Sequence, residues 1–199
     1  PLDVTVSDSI RAVAAEVGPL DALVNNAGVG MMGAFEGCPP SAVRAVFETN
    51  LFGTLDVTRA LLPQLRAARG VLVNVSSSVT LGPLPLVSVY TATKAAMNAF
   101  SHSVALELAP HGVRVRVVLP GRAPDTAFAT NARQAMADAG IEVPAPYAAM
   151  VEQTWAAFMA YDGPVTASDD VARAVWRAVT DPDCPASLPA GADAVAMAG

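Results

Sequence analysis

Cysteine, histidine, aromatic residues and charge are all scarce in this chain of 199 residues. The two cysteines, Cys38 and Cys184, show neither metal-ligand spacing nor the pattern of a disulfide framework, which points to a reducing, cytoplasmic location. The two histidines, His102 and His111, read as structural, so no metal site is expected. Only 15% of residues are charged against 53% hydrophobic, a balance that excludes intrinsic disorder. The net charge is −6 and the basic residues are scattered, so the electrostatic footprint of nucleic-acid or anionic-membrane binding is missing. No apolar run reaches the roughly 18 residues of a membrane-spanning helix. No Gly-x-Ser-x-Gly elbow occurs, which removes the usual hydrolase nucleophile. Internal repeats and low-complexity linkers are absent too, and a single domain over residues 1–199 is expected.

What the chain does have is a regular alternation of short apolar runs and amphipathic stretches. Leu2–Val6 is β-prone, and Ser7 suits the N-cap of a helix with Ile10, Val13, Ala14 and Val17 on one side. Asp21–Val24 then runs as a strand into Asn25-Asn26-Ala27-Gly28. Strand, helix, strand in so short a span is a βαβ unit, which implies a parallel sheet. Residues 29–40 read as a loop. Apolar positions from Ser41 to Ala68 recur at helical steps, as one long helix or two abutting ones, with Pro63 as a kink candidate. Strands follow at 71–76 and 113–118, separated by a helix over 89–109. Residues 122–164 read as helical pieces in loops. A helix capped by Ser168 or Asp169 and a short last strand near Ser187–Ala190 complete the chain.

Three loops of unusual composition each follow a strand: Asn25–Gly28, Ser76–Ser78 and Pro120-Gly121. Strand ends of an open parallel sheet lie along one edge, where ligands bind. Tyr90 and Lys94 arrive at the same edge, four apart on one helix face. An ammonium beside a phenol favours the phenolate, so Tyr90 is expected to titrate below its ordinary value of about 10. Taken alone, Tyr-x-x-x-Lys is an ordinary helix start and each loop an ordinary turn. Together they describe a site.

The combination resembles the short-chain dehydrogenase/reductase family, in which a Ser after a strand ending in Asn-x-Ser-Ser precedes Tyr-x-x-x-Lys. Ser77, Tyr90 and Lys94 stand in those places, and Asn50 falls where the family keeps an Asn in its long helix. The resemblance implies a Rossmann-like α/β fold, a doubly wound parallel sheet in one domain. It implies hydride transfer between NAD or NADP and a small-molecule alcohol or ketone. Tyr90 would exchange the proton and Ser77 would hold the substrate oxygen. Lys94 would tune Tyr90 and grip the nicotinamide ribose, while Asn50 would anchor a relay water. Cofactor-binding positions carried by the resemblance are Asp3, Val4, Asn25, Asn26, Ala27, Gly28, Tyr90, Lys94, Pro120, Gly121 and Thr126. Thr126 stands one residue later than the family's spacing after Pro-Gly. The family's pairing of long helices implies a homodimer or homotetramer. Residues 122–164, with Phe128, Trp155, Phe158 and Tyr161 among few charges, read either as a lid over an apolar substrate or as the packing of a helical subdomain.

One departure is large. The family's Gly-rich pyrophosphate turn is nowhere in the sequence, and Gly28-Val29-Gly30 follows the wrong strand to supply it. In the strand order 3-2-1-4-5-6, Leu2–Val6 would be the third strand and Ala22–Asn25 the fourth. Two strands would be missing between them, a gap of about 10 Å. The expectation is therefore that further residues precede Pro1, and that these 199 residues alone do not bind a dinucleotide. Two alternatives stay open: an epimerase or dehydratase of the same fold, and a fold relative that binds or scaffolds without catalysis.

Overall fold

Every strand in the chain is parallel to its neighbours, and the reason lies in what each must bury. The computed structural model describes residues 1–199. Strands β1 (Ala22–Asn25), β2 (Val71–Val75), β3 (Arg114–Pro120) and β4 (Ser187–Ala190) form one sheet in that order. Ala22 pairs with Val71, Val71 with Arg114, and Val117 with Ser187. All five residues of β2 are buried, which requires cover on both faces. Helices α1 (Ser7–Glu16), α2 (Pro40–Phe47), α3 (Gly53–Ala68) and α4 (Ser88–Leu108) precede β3. Helices α5 (Phe128–Asp138), α6 (Ala148–Met159), α7 (Ser168–Thr180) and α8 (Ala192–Ala198) complete the set.

Period-two alternation then divides the core. Val71, Val73 and Val118 pack with Ala174 and Ala178 of α7. Leu72, Val113 and Val115 face the other way, against Leu65 of α3 and Val104 and Leu108 of α4. This is the doubly wound arrangement, with helices on both faces of a parallel sheet. Leu65 and Leu72 are fully buried, and truncating either to Ala is worth about 2–5 kcal/mol. Gly112, at φ +74°, turns the end of α4 into β3 in a conformation few other residues adopt without strain.

The structure corrects the reading of the first residues. Leu2–Val6 is not a strand but a turn leading into α1. The Asp3 carboxylate accepts hydrogen bonds from the Thr5 N–H (2.9 Å) and the Thr5 hydroxyl (2.7 Å). Local Asx-turn chemistry wins because no neighbouring strand offers ladder partners there. Strand β1 is accordingly an edge of the sheet, with Leu2 and Val4 set against Leu23 and Val24 around a small groove of about 80 Å3. Ser7 is a helical residue rather than a cap, since α1 is capped at Val6 without a side-chain bond. The 41–68 stretch is continuous helix, but Glu48–Phe52 widens into a π-helical turn between α2 and α3. Pro63 sits inside α3 without ending it. The last strand falls at Ser187–Ala190 as expected, and α8 after it carried no clear sequence signal.

Candidate active site

The C-terminal ends of β1, β2 and β3 open on a cavity of about 400 Å3. Asn26, Ala27 and Gly28 line it after β1, and Ser76 and Ser77 after β2. Pro120, Ala123 and Thr126 line it after β3, while Tyr90 and Lys94 enter from α4. This is the edge at which an open parallel sheet offers a crevice.

Tyr90 and Lys94 do share a face, and that face is buried: they are 8% and 4% exposed. The Lys94 Nζ donates to the carbonyl of Val75 at 2.9 Å and lies 5.9 Å from the centre of the Tyr90 ring. An ammonium has three donors, so two remain for other partners. Burial pushes the Lys94 pKa down to about 8 and pushes the Tyr90 phenol up to about 12, with Ser77 pulling the phenol the other way. The expectation of a phenol below its ordinary value is thus overturned. Helical spacing predicts proximity, but not how little water surrounds the pair. Desolvation disfavours the charged form of each and is the largest cause of both shifts.

Ser77 begins a tight turn over Ser78–Thr80, its Oγ accepting from the Val79 N–H at 3.4 Å. Asn50 sits in the π-helical turn, fully buried. Its Oδ1 accepts from the Val29 N–H (2.8 Å), and its Nδ2 donates to the Val29 carbonyl (2.9 Å) and the Thr93 hydroxyl (3.2 Å). Thr93 in turn donates to the Tyr90 carbonyl at 2.8 Å. Asn50 therefore ties the loop after β1 to the first turns of α4. A Cβ at Gly28 would lie 3.3 Å from Asn50 Oδ1 and 3.5 Å from Lys94 Nζ, so glycine there brings main chain close to both. Ser77, Tyr90 and Lys94 thus line one cavity, and Asn50 lies fully buried behind it.

The other expected positions divide. Ala27, Gly28, Pro120 and Thr126 line the cavity. Asn25 is a buried brace, its Nδ2 donating to the Thr58 hydroxyl and to Asn74 Oδ1, each at 2.9 Å. Gly121 follows Pro120 with its N–H on the Ala190 carbonyl (3.2 Å) and the Thr166 hydroxyl (3.1 Å). Asp3 and Val4 are not brought to the cavity: Asp3 is exposed on its own turn, and Val4 lines the small groove beside β1. Sequence reasoning missed Thr93, a polar residue held on the buried face of α4 next to Lys94. It also missed Thr166 and Asp193, which meet the Pro120-Gly121 loop only through long-range folding.

The profile of the short chain dehydrogenase family matches residues 1–137. The chain is 38% identical over 125 residues to 3-ketodihydrosphingosine reductase from Bacteroides thetaiotaomicron, covering 60% of this chain and 46% of that protein. A short-chain dehydrogenase structure from Streptomyces avermitilis superposes with a TM-score of 0.80 at 34% identity, over 99% of this chain and 71% of the other. A short chain dehydrogenase from Burkholderia cenocepacia in complex with NADP gives 0.76 at 30% identity, over 99% and 70%. The chain spans about half the length of the curated relatives it matches. Profile, sheet and cavity agree, and the chain belongs to the short-chain dehydrogenase/reductase family.

Proposed function

We propose that the protein is an NAD(P)-dependent oxidoreductase acting on an alcohol or ketone, with Ser77, Tyr90, Lys94 and Asn50 as its working residues. The observation that carries this is the meeting of Ser77, Tyr90 and Lys94 on one buried cavity wall at the strand ends. The residues present suit a nicotinamide nucleotide. Gly28 leaves room for close approach, Lys94 keeps two unused donors for ribose hydroxyls, and the cavity mixes polar and apolar walls. When bound, the nicotinamide supplies or accepts the hydride. Tyr90 holds a proton on its hydroxyl up to high pH and donates it to a carbonyl oxygen as charge develops there. Ser77 steadies the same oxygen by a hydrogen bond. Asn50 is assigned the anchoring of a relay water. Following nicotinamide absorbance with the purified full-length protein, NADH or NADPH and a ketone panel tests the reading. No consumption of either cofactor with any ketone, and no reverse reaction with alcohols, rejects it.

Residues 122–164 support a lid and an apolar substrate. Phe128, at the start of α5, tilts over Tyr90 with ring centres 5.9 Å apart. A Cβ at Gly30 would lie 2.9 Å from Ala132 and 3.0 Å from Phe128, so α5 rests directly on the loop after β1. Bulky apolar ketones or alcohols are expected to be turned over at least tenfold better than small charged hydroxy acids, a margin of about 1.4 kcal/mol. Competition assays measure it, and the reverse preference ends the idea.

An assembly is part of the same proposal. Phe52 is 48% exposed, next to the start of α3, and Leu106 is 78% exposed on α4, although Val104 turns inward to the sheet. Apolar side chains on two adjoining long helices suit an isologous partner. Light scattering at micromolar concentration should give a dimer or tetramer, and a monomer alone counts against it. No helix is long and apolar enough to cross a membrane. The unpaired Cys38 and Cys184 support a cytoplasmic location.

A further inference from the structure

The Pro120-Gly121-Arg122 loop is held from the far end of the chain. The Asp193 carboxylate accepts from the Arg122 N–H at 2.6 Å and from the Thr166 hydroxyl at 2.5 Å. Thr166 Oγ1 accepts in turn from the Gly121 N–H at 3.1 Å, with the Ala190 carbonyl 2.9 Å away. Thr166 has no exposed surface at all. Its own N–H donates to the Arg122 carbonyl at 2.9 Å. Two glycines testify to how tightly the cluster is built. A Cβ at Gly121 would collide with the Asp193 carboxylate, and one at Gly191, which is at φ +95°, would collide with the Thr166 hydroxyl. One carboxylate and one hydroxyl thus fix two successive N–H groups of the loop that walls the cavity.

We infer that Asp193 and Thr166 are positioning residues that lock the Pro120–Arg122 backbone in its cofactor-facing conformation. The inference rests on the proposed nicotinamide-dependent function for its kinetic consequence, but not for its structural one. Charge-assisted hydrogen bonds to main-chain N–H groups are among the stronger ones. Without them the loop keeps the Gly121 bond to the Ala190 carbonyl and the bond from the Thr166 N–H to the Arg122 carbonyl, but the Arg122 N–H loses its acceptor and this wall of the cavity loosens.

Hydrogen exchange on the ligand-free protein reads the brace directly. Asp193→Ala should speed exchange at the Arg122 amide by roughly 10- to 100-fold while the β2 amides stay unchanged. Asp193→Asn keeps both bonds, because its amide oxygen accepts from Arg122 and its NH2 donates to Thr166 Oγ1, whose proton turns to Ala190. Protection should return to within about threefold. In turnover, the KM for the nicotinamide cofactor should rise in the Ala variant by a factor larger than the fall in kcat. If Asp193→Ala does not fold, the near-isosteric Thr166→Val, with Thr166→Ser as its rescue, carries the same comparison at Gly121. Unchanged loop exchange, uniform acceleration that includes β2, an Asn variant as unprotected as Ala, or a flat cofactor KM each overturns the proposal. Failure of the functional reading shows elsewhere, as no nicotinamide-dependent turnover in the unsubstituted protein.

Discussion

Tyr90→Phe is expected to lower turnover by roughly 10²- to 10⁴-fold, the range over which a positioned acid or base contributes. The substitution removes one hydroxyl and leaves the ring. That ring is packed in a cluster with Met31, Val46 and Val89 and faces Phe128, so the phenylalanine keeps those contacts. Cofactor binding should change little, because the grip on the ribose is assigned to Lys94. Stability offers an independent sign. Because burial raises the phenol pKa to about 12, wild-type stability holds below the ordinary value near 10 and declines as pH rises from about 10 through about 12. The unfolded chain gives up the proton first. Phe carries no such proton, so its unfolding midpoint should lack that part of the alkaline decline. Steady-state kinetics and alkaline denaturation test the two halves separately. Near-normal turnover in the Phe variant removes Tyr90 from the chemistry.

The parts of the molecule legible in the sequence are those whose signals are local. Val71–Val75 reads as a buried strand because both its faces are apolar, and the serines after it mark where the sheet ends. Ala22–Asn25 and Arg114–Pro120 announce themselves the same way, and their loops meet at one edge because parallel connection leaves no other choice. Leu2–Val6 misled because strand propensity is realised only beside a partner, whereas the Asp3–Thr5 turn needs none. Asn50 stood out as a poor helix residue, but the π-helical turn around it depends on Val29 and Thr93, both distant in sequence. The sign of the Tyr90 shift was hidden for a related reason: spacing gives neighbours, and burial is a property of the whole fold. Asp193 and Thr166 were invisible, since nothing in either segment hints at a shared loop some 45 or more positions earlier.

Lys94→Met should abolish most turnover, by at least about 10²-fold, while leaving the protein as stable as wild type or more so at neutral pH. The two effects have one cause. Lys94 is 4% exposed, and burial has brought its pKa from 10.5 to about 8. Keeping it charged at neutral pH therefore opposes folding by about 3 kcal/mol, at 1.36 kcal/mol per unit. Methionine fills a similar volume without charge, and gives up the 2.9 Å bond to the Val75 carbonyl, a loss of about 1–2 kcal/mol. The net expectation is a gain of about 1–2 kcal/mol in urea unfolding at pH 7. Its pH dependence has a definite sign. Above pH 8 the folded wild type releases the proton while the unfolded chain keeps it until about 10.5, so wild-type stability climbs through that window. The advantage of Met should shrink across the same window. A Met variant that unfolds more readily at pH 7, with a gap that widens toward pH 10, would mean that Lys94 serves mainly to hold the strand end together.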